Sequence, residues 1–388
     1  MTLEKKSASK ELFIMYVASL LFMMCNMLPN PIVAGYSVYL GAGAALMSII
    51  GGLNSFCALV SRPFVGNLCD ALNKRKLMLS GLLIMAVGLV LHLFAPDAYV
   101  LACGRVINGI GFTCCSVCMP AWIALKVPRE NLGHAIGIYG TMNAISMAIA
   151  PTLGVYSYQH YSYRASFELL AVLMVVAIIS VLLIKGDEET RKKAEKVKRK
   201  FRLVCKASVP VSAISMLLCI PYFATQTYLV QYAETKGLAI SVGLFFPVYA
   251  IILAVARTLI GRLVDRLPFK YFFWMAMVAM TAYPLVMNAM NSNAVMVIAT
   301  ICMVLGYGII YPVCQTKAIL AAGKGNEGLG NSTFFMGLDI GVTLGGVLGG
   351  FLYSKLPIGM FFPCLLFVIP LCILIYLFFV RNKLEENI

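Results

Sequence analysis

The sequence predicts an all-α membrane protein of twelve transmembrane helices, arranged as two pseudo-symmetric six-helix bundles. Three observations predict it. Hydrophobic residues make up 61% of the 388 and charged residues only 12%, at a mean hydropathy of +0.88, and so few charges cannot cover the surface of a soluble chain of this size. Apolar runs of about 20 residues, the length that crosses roughly 30 Å of hydrocarbon, recur from end to end. The second half of the chain also repeats the first at a nearly constant spacing.

The predicted spans fall at 12–33, 40–64, 77–95, 98–124, 134–158, 164–184, 208–232, 239–261, 271–290, 294–321, 328–353 and 358–380. The first is too long, and lacks the small-residue cleavage site, for a removable signal peptide. Little chain is left between spans, so catalysis on a soluble substrate has almost nowhere to reside. One stretch breaks the pattern: Lys185 to Lys206 reads KGDEETRKKAEKVKRKFRLVCK. It divides an N-terminal bundle, 1–184, from a C-terminal bundle, 208–388, and the segment 185–207 is expected to be a solvated cytoplasmic linker lying on anionic lipid.

The formal net charge is +15, and its placement reads as topology. Lys74, Arg75, Lys76, Lys126, Arg129, Arg262, Arg266, Lys270, Arg381 and Lys383 all follow even-numbered spans, on the same side as Lys5, Lys6 and Lys10. The opposite connections hold only Arg164, Lys236 and Lys355. Positive charge accumulates on the cytoplasmic side, so both termini are expected there, in a multi-pass protein of the plasma (inner) membrane. A nucleic-acid footprint is not needed to explain the charge. The thirteen cysteines lie mostly within spans, where a thiol behaves as a small hydrophobe. Cys114, Cys115 and Cys118 cluster, but no histidine lies within a turn of them, so packing is expected rather than a metal site. No Gly-x-x-x-x-Gly-Lys-Ser/Thr run is present, so ATP does not drive the protein directly and no cofactor is expected.

The internal repeat is explicit in two places. Arg62, Gly66, Leu68, Asp70 and Leu72 coincide with Arg257, Gly261, Leu263, Asp265 and Leu267 at an offset of 195. Leu132-Gly133 and Gly140 coincide with Leu329-Gly330 and Gly337 at an offset of 197. Small residues then follow every fourth position, Ala144, Ala148 and Thr152 in one copy and Gly341, Gly345 and Gly349 in the other. Residues four apart share a helix face, and a face without side chains lets another helix pack closely. Such a seam is static packing, the contact between halves that rock against each other, or both. Six spans per repeat give both halves the same orientation.

The run Gly66-Asn67-Leu68-Cys69-Asp70, followed by Lys74-Arg75-Lys76, resembles the signature loop between spans 2 and 3 of the major facilitator superfamily. The copy with Gly261 and Asp265 occupies the corresponding place between spans 8 and 9. Arg105-Val106-Ile107-Asn108-Gly109-Ile110-Gly111 is similar to the span 4 motif of the family's drug–proton antiporters, and Ala150-Pro151-Thr152-Leu153-Gly154 resembles their span 5 motif, with Ala150 at a usual glycine. The resemblance covers essentially the whole chain and points to bacterial efflux proteins of the multidrug and arabinose-efflux-like type. It implies alternating access around a central site, a monomer, and a conformational latch. In that latch Arg62, Gly66, Asp70 and Arg75, with Gly261 and Asp265 in the second copy, hold the outward-open state.

Charges inside spans are costly unless paired or wetted, on the order of 2.5–3.5 kcal/mol on insertion scales, so they point to function. Asp339, near the middle of span 11, is a candidate to carry a coupled proton, with Arg105 modulating it; the alternatives are an interhelical hydrogen bond for Asp339 and a structural pair with Glu168 for Arg105. Span 1 contains no acid, which speaks against proton exchange by that route. Candidates for the wall of the substrate cavity are Asn26, Tyr139, Asn143, Tyr222, Gln226, Tyr249, Tyr307, Tyr311 and Gln315. Their aromatic character favours an amphipathic ligand over a sugar. The expected function is export of small amphipathic or drug-like molecules by proton antiport. An importer or facilitator of a metabolite, and a transporter-like sensor without flux, are the alternatives. A membrane-embedded enzyme is disfavoured, because the chain holds only three histidines, His92, His134 and His160, and no nucleophile constellation.

Overall fold

The computed structural model describes residues 3–184, 201–238, 240–241 and 244–381. Most of the expected linker therefore lies outside the described residues. Every regular element among those described is helical. The first span is one long helix, α1 (Leu3–Met27), and a break at Leu28 and Pro29 leads into α2 (Asn30–Tyr39). Then come α3 (Ala44–Ala71), α4 (Lys74–Leu93), α5 (Ala98–Lys126), α6 (Leu132–His160) and α7 (Tyr163–Leu182). The second half supplies α8 (Val209–Thr235), α9 (Phe245–Arg266), α10 (Phe269–Asn288), α11 (Asn293–Met303), α12 (Ile309–Ala322) and α13 (Glu327–Lys355). A π-helical turn, Val304–Gly308, joins α11 to α12, and the last span, Ile358–Val380, mixes α with 3-10 and π turns.

Eleven helical stretches among the described residues are long and apolar enough to cross a membrane. The twelfth expected span is α9. Its 22 residues would extend about 33 Å, and its described run Pro247–Arg257 is apolar. Helix starts are set locally. Asn73 Oδ1 accepts from Lys76 N, Asp97 Oδ1 from Tyr99 N and Val100 N, Ser162 Oγ from Ala165 N, and Ser292 Oγ from Val295 N. Each bond satisfies an amide that the first helical turn leaves open.

Contacts group the chain into two compact units. One comprises Met1–Pro128, Met142–Val204 and Gly323–Ser332; the other comprises Arg129–Thr141, Cys205–Ala322 and Thr333–Ile388. In the first unit, α4 and α5 lock through reciprocal glycines. A Cβ on Gly111 would lie 2.6 Å from Gly81 O, and one on Gly104 would lie 3.0 Å from Gly88 O. Gly109 meets α3 in the same way, 2.6 Å from Asn54 O. The glycines of the span 4 motif are thus a packing surface that brings backbones together. The clustered cysteines pack there too: Cys118 donates to Lys74 O at 3.3 Å and Cys115 to Met78 O at 3.9 Å.

In the second unit, the glycine seam of α13 lies directly on α8. A Cβ on Gly337 would stand 3.0 Å from Ser212 O, on Gly341 2.5 Å from Met216 O, and on Gly345 2.9 Å from Ile220 O, while Gly349 meets the Tyr228 ring at 2.8 Å. The reading of this seam as a contact between the two halves is corrected: its glycines meet residues of their own unit. The i, i+4 pattern shows a bare face, and nothing in it says which helix that face meets.

Candidate functional site

In the first unit, the repeated motif at the end of α3 closes onto the first turn of α13. Gly328 N donates to Asp70 Oδ1 at 2.7 Å and Leu329 N to Oδ2 at 2.9 Å. These amides have no partner within their own helix, and the partial positive charge of a helix N-terminus favours a carboxylate there. The turn that starts α13 requires glycine: Gly323 and Gly325 have φ of 80° and 85°, and Gly325 N donates to Glu327 Oε2. Gly66 is glycine because Ser332 lies against it, at 2.6 Å from a Cβ at that position. Ser332 donates to Arg62 O at 2.5 Å, and Asn331 Nδ2 to Ser116 O and Val117 O at 3.2 and 3.0 Å. Arg62 Nη1 reaches Ser116 Oγ at 3.5 Å, and the buried Lys74 donates to Cys69 O. Arg75 donates to Leu182 O, at the C-terminus of α7, at 2.5 Å, where helix polarity favours a cation. The surroundings of Gly261 and the side chain of Asp265 lie outside what the structure describes.

Arg105 is also in the first unit and is 2% exposed. It donates to Asn30 Oδ1 at 3.1 Å and to Gly51 O at 3.4 Å, and its Nε is buried without an acceptor. The alternative pairing of Arg105 with Glu168 is not formed: Glu168 instead pairs with Arg164 at 3.0 Å, one turn away on an exposed face of α7. Asn26 is buried and accepts from Asn54 Nδ2 at 3.0 Å. Asn143 is half-buried in this unit.

The second unit gathers four of the expected cavity residues. The Tyr222 ring lies 5.1 Å from that of Tyr249 and stacks at 5.2 Å on Tyr307, which meets Tyr311 edge-on at 5.9 Å. All four are buried, and Gln315 is buried one turn beyond Tyr311. Against the cluster lies Arg257, 9% exposed, which donates to Gly308 O at 3.1 Å and stands 6.0 Å from the Tyr311 ring centre. On its other side is α6, where a Cβ on Gly140 would come within 2.8 Å of Nη1. Asp339 is half-buried on α13. Cys219, buried on α8, donates to the carbonyl of the neighbouring Leu338 at 3.9 Å. Tyr139 is buried in this unit, next to Gly140, while Gln226 is exposed one turn beyond Tyr222. A crevice of about 420 Å³ in the first unit is lined by Pro151, Thr152, Val155, Tyr156 and Gln159, all on α6, and by none of the expected cavity residues.

In the sequence Arg257 stands out only as part of the repeated motif. Its match to Arg62 in the first copy of the repeat was the available signal. That the motif's Asp can face a helix N-terminus was legible, but which helix Asp70 meets was not, because its partners lie more than 250 positions along the chain.

Residues 15–328 match the family model described as the Major Facilitator Superfamily. The uncharacterized MFS-type transporter YhhS of Escherichia coli K12 is 26% identical over 345 residues, covering 84% of this chain and 82% of that protein. The staphylopine export protein of Staphylococcus aureus Mu50 is 21% identical over 357 residues, covering 87% of each. Among solved structures, the human organic anion transporter MFSD10 superposes with a TM-score of 0.79 at 12% identity, over 95% of this chain and 99% of that one. The Escherichia coli fucose:proton symporter FucP gives 0.74 at 15% identity, over 97% and 99%. At these identities the structural likeness establishes the fold alone.

Proposed function

The chain belongs to the Major Facilitator Superfamily, and we propose that it is a secondary active transporter that exports small amphipathic molecules by proton antiport. The two six-helix repeats, 1–184 and 208–388, are its moving bodies, and 185–207 is the linker between them. It works as a monomer in the plasma membrane with both termini cytoplasmic. The observation that carries this reading is the carboxylate of Asp70 on the N-terminus of α13. Hydrogen bonds from helix-end amides to a carboxylate can be broken and remade between two states, as a latch requires. Arg62, Gly66 and Arg75 support it, and Gly261 and Asp265 are its second copy. The export direction draws on the similarity to the staphylopine export protein and on the antiporter-like motifs.

Asp339 is assigned the coupled proton, modulated by Arg105. Its support is a half-buried carboxyl on a membrane-spanning helix, where a charge is costly unless paired or wetted. The test is flux in proteoliposomes, with a panel of cationic and anionic fluorescent dyes and an imposed pH gradient. Asp339→Asn should cut uphill accumulation by about tenfold or more while downhill exchange changes by less than about twofold, because the variant binds but cannot pass a proton. A variant that still concentrates dye moves the proton elsewhere. Accumulation that reverses direction with the proton gradient would identify an importer, and binding without flux a sensor.

A further inference from the structure

Arg257 is a buried cation whose surroundings leave its charge unanswered. Among the described residues no carboxylate lies within ion-pair distance of it. Its Nη2 has Gly308 O as acceptor, and its Nε is buried with none. Beside it stand Tyr311, 6.0 Å from ring centre to guanidinium, and the Tyr222, Tyr249 and Tyr307 rings packed with it. Removing a guanidinium from water without a counter-anion is costly, and packing alone would be served better by an apolar side chain. A guanidinium also presents five donors in a planar fork that matches a carboxylate. The four tyrosines are 5–9% exposed and offer flat apolar rings with polar tips, surfaces that accept another ring edge-on or offset. Gly140 keeps the α6 side of the guanidinium free of a side chain.

We propose that Arg257 and its four tyrosines receive the anionic group of the transported molecule, and that the ligand is a small organic carboxylate carried on an aromatic body. The carboxylate takes the free Nε and an adjacent Nη of Arg257, and the aromatic body lies among Tyr222, Tyr249 and Tyr307. The rings are covered in this structure, so the ligand binds when the cluster opens, and the inference rests to that extent on the transport reading.

The experiment is thermal unfolding of the purified full chain in detergent, with three probes of equal shape: naphthalene-2-carboxylate, naphthalene-2-carboxamide and naphthalen-2-ylmethylammonium. The carboxylate should raise Tm saturably, and the amide and the ammonium should not. Arg257→Gln should weaken carboxylate binding by at least about tenfold, Arg257→Lys should weaken it less, and Arg164→Gln, on an exposed ion pair, should leave it unchanged. These expectations follow from removing a charge-assisted bidentate contact. Equal binding of the amide, preference for the ammonium, or undiminished binding by Arg257→Gln would each overturn the proposal. If Arg257→Gln does not purify, the probe series on the unaltered chain still decides which charge the site accepts. Binding is read here without flux. A chain that moves dyes but binds no carboxylate refutes this inference alone, and one that binds carboxylate and moves nothing refutes the transport reading.

Discussion

Asp70→Asn is expected to abolish transport while the protein still inserts, and to open Cys69 to maleimide. Both carboxylate oxygens accept from first-turn amides of α13. An amide at this position removes the negative charge and turns one acceptor into a donor facing another N–H. A hydrogen bond to a charged group contributes about 1.5–3 kcal/mol. Losing about 2 kcal/mol from one of two conformers changes their ratio by roughly 30-fold. Cys69 is a reporter already in place. It is 0% exposed, and a Cβ on Gly328 would lie 2.6 Å from its Cβ, so the first turn of α13 lies directly against it. N-ethylmaleimide labelling, resolved by peptide mass spectrometry against the other twelve cysteines, should show Cys69 modified in the variant and protected in the unaltered chain. Normal dye flux by an inserted variant, with Cys69 still protected, would remove Asp70 from the mechanism.

Gly341→Leu should be the most damaging single change to the fold. The Cβ alone would stand 2.5 Å from Met216 O and 3.2 Å from two further backbone atoms, and a main chain within a packed helix cannot swing aside as a flexible side chain can. Overpacking costs about 1–3 kcal/mol even where neighbours adjust; here α8 and α13 must separate along the whole seam. The expected result is aggregation on size exclusion, or a Tm many degrees lower. Gly346 is the control: a Cβ there meets nothing within 4 Å. Gly346→Ala should be neutral or slightly stabilising, since alanine exceeds glycine by about 1 kcal/mol in helix propensity. A monodisperse Gly341→Leu protein of normal Tm would show that the seam is loosely packed.

What the sequence by itself determined is everything that depends on neighbours within a few residues. Span positions follow from hydrophobic length. Helix starts follow from Asn73, Asp97, Ser162 and Ser292, each bonding an amide two or three residues on. The bare face of α13 follows from glycines four apart, and the duplication from offsets of 195 and 197. The tertiary structure alone decided which partner each face meets. It placed Gly341 on Met216, Asp70 on Gly328, Glu168 on Arg164 rather than Arg105, and Arg257 among tyrosines of its own helix and of two other stretches of the chain. The physical reason is the solvent. In a water-soluble helix an apolar stripe marks the buried side, but in lipid both sides of a helix are apolar, and association is driven by close packing and a few hydrogen bonds. Hydrophobicity therefore locates such helices without orienting them. A buried arginine and a row of tyrosines became a candidate binding site only once packing had brought positions 222, 249, 257, 307 and 311 together.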